Sequence, residues 1–144
     1  MIYIRNIRDL CKGNSNQWLI VRSANDISEW MIHVPALSPS KNLFFKYLNL
    51  KEKGQWGRKA FEEIYVPIFL KDIKSNMDNS KNMLNQVYKM DKNGIDITMA
   101  CFCPFESLCH RCIIAGLLMG VGCNVDVMVK DNDYIKYYEM YKKL

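Results

Sequence analysis

The apolar positions of the chain fall into two periods, and their alternation along the sequence predicts the fold. Ile2, Ile4 and Ile7 alternate with polar residues, which predicts a strand over 1–7. Trp18-Leu19-Ile20-Val21 is a continuous apolar run and predicts a strand over 18–22 that is buried on both faces. Ile95–Phe102 is a second such run, and Val125, Val127 and Val129 alternate over 124–129. Between these strands the period changes to that of a helix. Leu43, Phe44, Tyr47 and Leu48 predict a helix over 42–50, which Ser38 or Ser40 would cap. Phe61, Ile64, Tyr65, Ile68 and Ile73 predict one over 58–75, kinked or divided at Pro67. Met83, Leu84, Val87 and Tyr88 predict a third over 81–90. Ile113, Ile114, Leu117, Leu118 and Val121 predict a fourth that opens near Leu108 or Cys109 and stops at Gly120 and Gly122. Tyr134, Tyr137, Tyr138 and Tyr141 line a last helix, most simply as a packing face. Asp9–Gln17 reads as a turn-rich link. Ala24–Ser40 keeps no period and is expected to be irregular, as a lid or pocket wall.

Strands separated by helices predict an α/β fold: a single three-layer, Rossmann-like domain over 1–144. Its sheet is mostly parallel, with four or more strands and helices on both faces. In such folds ligands bind beyond the carboxyl ends of the strands. That rule points to the loop between the Ile95 strand and the next helix, Cys103-Pro-Phe-Glu-Ser-Leu-Cys-His-Arg111. Arg22 and Ser23 end a neighbouring strand and should share its edge.

Composition adds little to this picture. The 144 residues are 49% hydrophobic and 24% charged, with a formal net charge of +5. This mild excess suits an anionic ligand and gives only weak support to nucleic acid; the simpler reading is solubility. No apolar run is long enough to span a membrane, and the N-terminus carries no signal-peptide pattern. A cytoplasmic location is therefore expected, and the abundance of Lys, Asn, Ile, Met and Tyr suggests an AT-rich bacterial or phage genome.

Cysteine usage changes the picture more. Five of the six cysteines, Cys101, Cys103, Cys109, Cys112 and Cys123, are clustered, and Cys11 stands apart. An intracellular setting argues against disulfides. Three chemistries compete for the loop. Zinc prefers C-x2-C knuckles, and only Cys109/Cys112 has that spacing; Cys101, inside a strand, and Cys112 are expected to pack as small apolar residues. No metal and no cofactor are expected on this basis. Nucleophilic catalysis by Cys109 or Cys103 with His110 is the second, because a helix N-terminus and adjacent cations favour a thiolate. The spacing from Cys103 to Arg111 is C-x7-R, which departs from the C-x5-R phosphate loop of cysteine phosphatases. The third, and the leading one, is binding. Arg22 and Arg111 would grip a phosphate, Ser23 would assist, and Phe102 or Trp56 would stack on a flat ring.

The segment ITMACFCPFESLCHRCIIAGLL resembles the signature of the domain-of-unknown-function family 488, a strand ending in Cys-x-Cys or similar and a Cys-His-Arg helix start. Cys101, Cys103, Cys109, His110 and Arg111 occupy those places. LIVRSANDISEW resembles the family's strand ending in arginine, and Pro39, Ser40, Phe61 and Tyr65 match its middle segment. The resemblance covers roughly residues 18–130. It implies a three-layer α/β domain of prokaryotes and their phages, without an established reaction. Val21 stands where many members have an Asp before the arginine. The resemblance also implies phage and defence settings, in which such a protein would capture a nucleotide-derived signal. A phosphate-bearing, nucleotide-like ligand is therefore expected, with a Cys/His-dependent enzyme of nucleotide or nucleic-acid metabolism as the alternative. No oligomeric state follows from the sequence, and a homo-oligomer is compatible with it.

Overall fold

The computed structural model, which describes residues 1–10, 16–24 and 28–144, contains a parallel five-stranded sheet. Its strands are β1 (Ile2–Asn6), β2 (Gln17–Leu19), β3 (Met31–His33), β4 (Ile97–Cys101) and β5 (Val125–Asp126), in the order β3-β2-β4-β1-β5. The helices are α1 (Lys41–Glu52), α2 (Arg58–Ala60), α3 (Val66–Lys74), α4 (Ser80–Lys92), α5 (His110–Gly120) and α6 (Ile135–Lys142). With helices around an all-parallel sheet, the fold is the expected three-layer, Rossmann-like α/β architecture. No helix among the described residues is long and apolar enough to cross a membrane.

The two longest strands lie side by side in the middle of the sheet. Ile2 pairs with Ile97, Ile4 with Met99 and Asn6 with Cys101. Ile2, Ile4, Ile97 and Met99 are fully buried, and burying each such side chain contributes about 1.5–3 kcal/mol. On the other side of β4, Leu19 pairs with Ala100, and Ile20 N–H continues the ladder to Ala100 O at 3.0 Å. Three carboxyl ends, those of β1, β2 and β4, therefore open at one edge.

Local chemistry explains the helix boundaries. Ser40 caps α1, its hydroxyl accepting from Leu43 N at 3.2 Å. Pro67 has the predicted effect at its own position. It offers no N–H to the carbonyl four residues back, and the chain passes from α2 to α3 through a π-helical turn, Phe61–Tyr65, in which Val66 N–H reaches Phe61 O. The start of α4 is secured by Asn76 rather than by Asp78–Ser80, since Asn76 Oδ1 accepts from Lys81 N and Asn82 N. After α5, Gly122 turns the chain at φ +91°.

Two expectations need correction. Ala24–Ser40 is not wholly irregular: Met31–His33 forms an edge strand paired with β2. Three residues are too few to show a period. The last strand is shorter than 124–129, because the N–H groups of Met128 and Val129 bond the Glu106 carboxylate at 2.9 and 3.1 Å instead of a neighbouring strand. Cys11 and most of the turn-rich link lie outside the described residues.

Candidate functional site

Where β4 ends, the chain leaves the sheet at Cys101, passes Cys103, makes a short 3-10 turn at Glu106–Leu108 and enters α5 at His110. Glu106 holds that loop in place. Its buried carboxylate accepts from Met128 N and Val129 N and from Tyr134 Oη at 2.8 Å. Asn6, at the end of β1, donates from Nδ2 to Cys103 O at 2.9 Å. The loop is thus tied to both the adjacent strand and the C-terminal segment.

This arrangement folds four side chains onto one point. The Cys101, Cys103 and Cys109 sulfurs and a ring nitrogen of His110 all lie within 4.8 Å of one another. The Cys101 and Cys109 sulfurs are 2.9 Å apart, and Cys109 Sγ is 3.5 Å from His110 Nδ1. His110 Nε2 donates to Ile20 O at 2.6 Å. A carbonyl oxygen can only accept, so in the neutral ring the proton sits on Nε2 and the Nδ1 lone pair faces the sulfurs. Behind the cluster, Arg111 is 3% exposed. It donates from Nη1 to Arg5 O at 2.9 Å and approaches Cys101 Sγ at 3.8 Å, while its Nε has no partner. Among the described residues Arg111 forms no ion pair.

The three thiols are electrostatically unequal. Cys103 is held far below the ordinary thiol range by hydrogen bonds from Cys101 and then Cys109, against the cost of its burial and with help from His110. Cys101 is pushed up to about 12, chiefly by Cys103 beside it. Burial, followed by the neighbouring sulfurs, pushes Cys109 well above its usual value. One negative charge on Cys103 is the arrangement these shifts favour. Cys103 is also the sole half-buried cysteine of the five described; the other four are buried.

The cluster floors a cavity of about 400 Å³ at the carboxyl edge of the sheet. Its walls are aromatic. Trp56 stands edge-on to Tyr47 at 4.7 Å between ring centroids and to Tyr65 at 5.6 Å, and Phe102 lies at the mouth, 54% exposed. Arg22, Ser23 and Lys51 also line it. Burial pushes the Tyr65 hydroxyl well above its ordinary value, and the nearby Cys109, Cys103 and Cys101 add to this.

Most of the residues singled out from sequence therefore converge: Cys103, Cys109, His110, Arg22, Ser23, Phe102 and Trp56 all border this cavity. Arg111 does not. The expectation that it faces Arg22 across one pocket is corrected by its burial behind the cluster. It lines a separate hollow of about 460 Å³ with Asn6 and Arg8. Arg22 is itself engaged, with Nε donating to Pro39 O at 3.1 Å and Nη2 pairing with Asp78 at 3.1 Å. Cys101, expected to pack as an apolar residue, is part of the cluster, whereas Cys112 lies apart and packs in the core. His33, in β3, has a structural role, its Nε2 meeting Val21 O at 2.8 Å. Sequence reasoning misses Asn6, which holds the loop, and Tyr47, Lys51 and Tyr65, which line the cavity. Only Tyr65 has a signal, in the Phe61/Tyr65 pair of the resemblance.

Residues 5–121 match the family model described as the active DUF488-N3 subclade. No curated protein and no solved structure matches the chain.

Proposed function

Since the chain belongs to the DUF488 family, whose model spans most of its length, and since its strand-end loop borders an aromatic cavity, we propose that this cavity binds a flat, ring-bearing ligand with an anionic group, of nucleotide-like kind. The observation that carries this reading is the cavity itself. Trp56 and Phe102 line its side and mouth with aromatic rings, Lys51 and Arg22 offer cations, and the polar sulfur and imidazole groups form the floor. A pocket of this size and mixed lining suits a small molecule better than a polymer. Arg22 would contact the anion by turning Nη2 away from Asp78 while Nε keeps its Pro39 bond; Lys51, outside any ion pair among the described residues, is the less constrained cation.

A second reading has one observation in its favour. Cys103 is half-buried and opens on the cavity, with the His110 Nδ1 lone pair among its close neighbours. That geometry suits attack by the Cys103 thiolate on an electrophilic atom of the bound ligand, with a leaving group departing from that atom as the sulfur bond forms and water then cleaving the sulfur bond to restore the thiolate.

The two readings share a binding step, and calorimetric titration with nucleoside monophosphates and cyclic dinucleotides tests it. At least one of them is expected to bind saturably. Trp56→Leu keeps an apolar staple but loses the ring face and should weaken that binding by about tenfold, the usual loss for one stacked base. Equal affinity in the variant, or no binding by any of these compounds, contradicts the reading. For the second reading, turnover of the bound compound should vanish in Cys103→Ser.

A further inference from the structure

We propose that Cys101, Cys103, Cys109 and His110 form a tetrahedral zinc site, with Arg111 as its buried counter-ion. The spacing rule that argues against zinc assumes ligands supplied in C-x2-C knuckles. Here the fold supplies them differently: two sulfurs come from the C-x-C end of β4, and the third sulfur and the imidazole come from the Cys-His dipeptide that opens α5.

Three observations support the assignment. The first is convergence. A tetrahedron with Zn–S bonds of about 2.3 Å has sulfur–sulfur edges of about 3.8 Å. The cluster's ligand atoms all lie within 4.8 Å of one another, and the Cys101 and Cys109 sulfurs, 2.9 Å apart, need to separate by about 1 Å to reach that edge. The second is the imidazole. His110 donates from Nε2 to a main-chain carbonyl and presents the Nδ1 lone pair to the sulfurs, the orientation that metal-bound histidines take from an outer hydrogen bond. The third is charge. A buried guanidinium needs an anion, and Arg111 finds no carboxylate among the described residues. Three thiolates, a neutral imidazole and one divalent cation sum to a single negative charge, which the guanidinium beside Cys101 balances. Thiolate-rich tetrahedral ligation selects zinc over the harder divalent ions. Binding expels the remaining thiol protons to solvent, and no redox step is involved.

The site forms the floor of the cavity but does not depend on the ligand reading. It does exclude a free Cys103 nucleophile. The test uses the full-length protein, reduced, stripped with a chelator and titrated with Co²⁺ and then Zn²⁺ in the absence of any nucleotide. One equivalent of Co²⁺ should give the intense visible bands of tetrahedral geometry and near-ultraviolet thiolate charge transfer, both abolished by one equivalent of Zn²⁺. Cys101→Ser and Cys109→Ser should lose stoichiometric binding, and Cys123→Ser should keep it. Arg111→Gln, an outer-sphere change, should weaken binding by roughly 10–100-fold. Folded wild-type protein with no tetrahedral cobalt spectrum, or Cys101→Ser and Cys109→Ser with undiminished affinity, would overturn the proposal. The wild-type titration decides even if a variant fails to fold. Because Trp56 is not a ligand, Trp56→Leu should weaken nucleotide binding and leave the cobalt spectrum unchanged; a normal cobalt spectrum in a protein that binds no nucleotide would overturn the ligand reading alone, and nucleotide binding without the cobalt spectrum would overturn the zinc site alone.

Discussion

Gly116→Ala is expected to destabilise the protein strongly, because the added methyl group has no room between two packed helices. Gly116 lies in the buried stretch of α5 that faces α6. A Cβ built there would lie 1.9 Å from Tyr134 O and 2.7 Å from its carbonyl carbon. Both are backbone atoms, so no side chain can swing away, and the start of α6 must move. Overpacking of a close-packed interior costs about 1–3 kcal/mol and sometimes more; with main chain as the obstacle, Gly116→Ala should lie at or beyond the upper end. Urea denaturation should show a lower midpoint with an unchanged slope. A midpoint equal to the wild type's would mean that α5 and α6 do not meet this closely. The move would also pull on Tyr134, whose hydroxyl donates to Glu106, and would thereby reach the cysteine loop.

Removal of Glu106 has the second-largest expected effect, and it bears on the site. Glu106→Ala leaves the Met128 and Val129 N–H groups without their acceptor and leaves the Tyr134 hydroxyl with Ser107 Oγ, 3.0 Å away, as its remaining partner. Each buried donor left unpaired costs about 1–3 kcal/mol, less what water recovers at the exposed Met128–Val129 edge, so a loss of about 3 kcal/mol is expected in the same denaturation experiment. The loop from Cys103 to Cys109 would lose its tie to the C-terminal segment and keep the Asn6 bond to Cys103 O. Hydrogen exchange should accordingly rise across residues 102–109. If stability falls but exchange in that loop stays at the wild-type level, Glu106 supports the C-terminal segment alone and does not position the thiols.

These two residues show where sequence reading succeeds and where it stops. The apolar runs at 18–21 and 95–102 announce a parallel sheet because burial on both faces removes alternation, and that signal is local. The helix starts are local as well: Ser40 and Pro67 act within a few residues of themselves. From these the fold class follows, and with it the edge on which the site lies. What is not local is invisible. Nothing near Glu106 in the chain reveals that its partners lie at 128, 129 and 134, and nothing near Asn6 reveals Cys103. The three-residue edge strand β3 is too short for a period. Arg111 is the instructive miss. A cation at a helix start reads as a ligand contact, yet its guanidinium turns inward and donates to Arg5 O in β1, a partner far away in the chain. Cys101 reads as apolar packing by the same logic, because a thiol in a strand buries well alone; that it meets two other sulfurs depends on the return of the loop.

The central claim is that the cavity above the sulfur and imidazole cluster receives a ring-bearing anion. The three tryptophans allow a direct test, since each indole N–H gives its own signal in a proton–nitrogen spectrum. Trp56 lines the cavity, Trp18 is buried in β2, and Trp30 precedes β3 at the edge of the sheet. Titration of the intact protein with the nucleoside monophosphates and a cyclic dinucleotide should shift the Trp56 signal saturably for at least one compound, with Trp18 and Trp30 unmoved. No saturable change at Trp56 for any of them, or a change confined to Trp30, would contradict the claim.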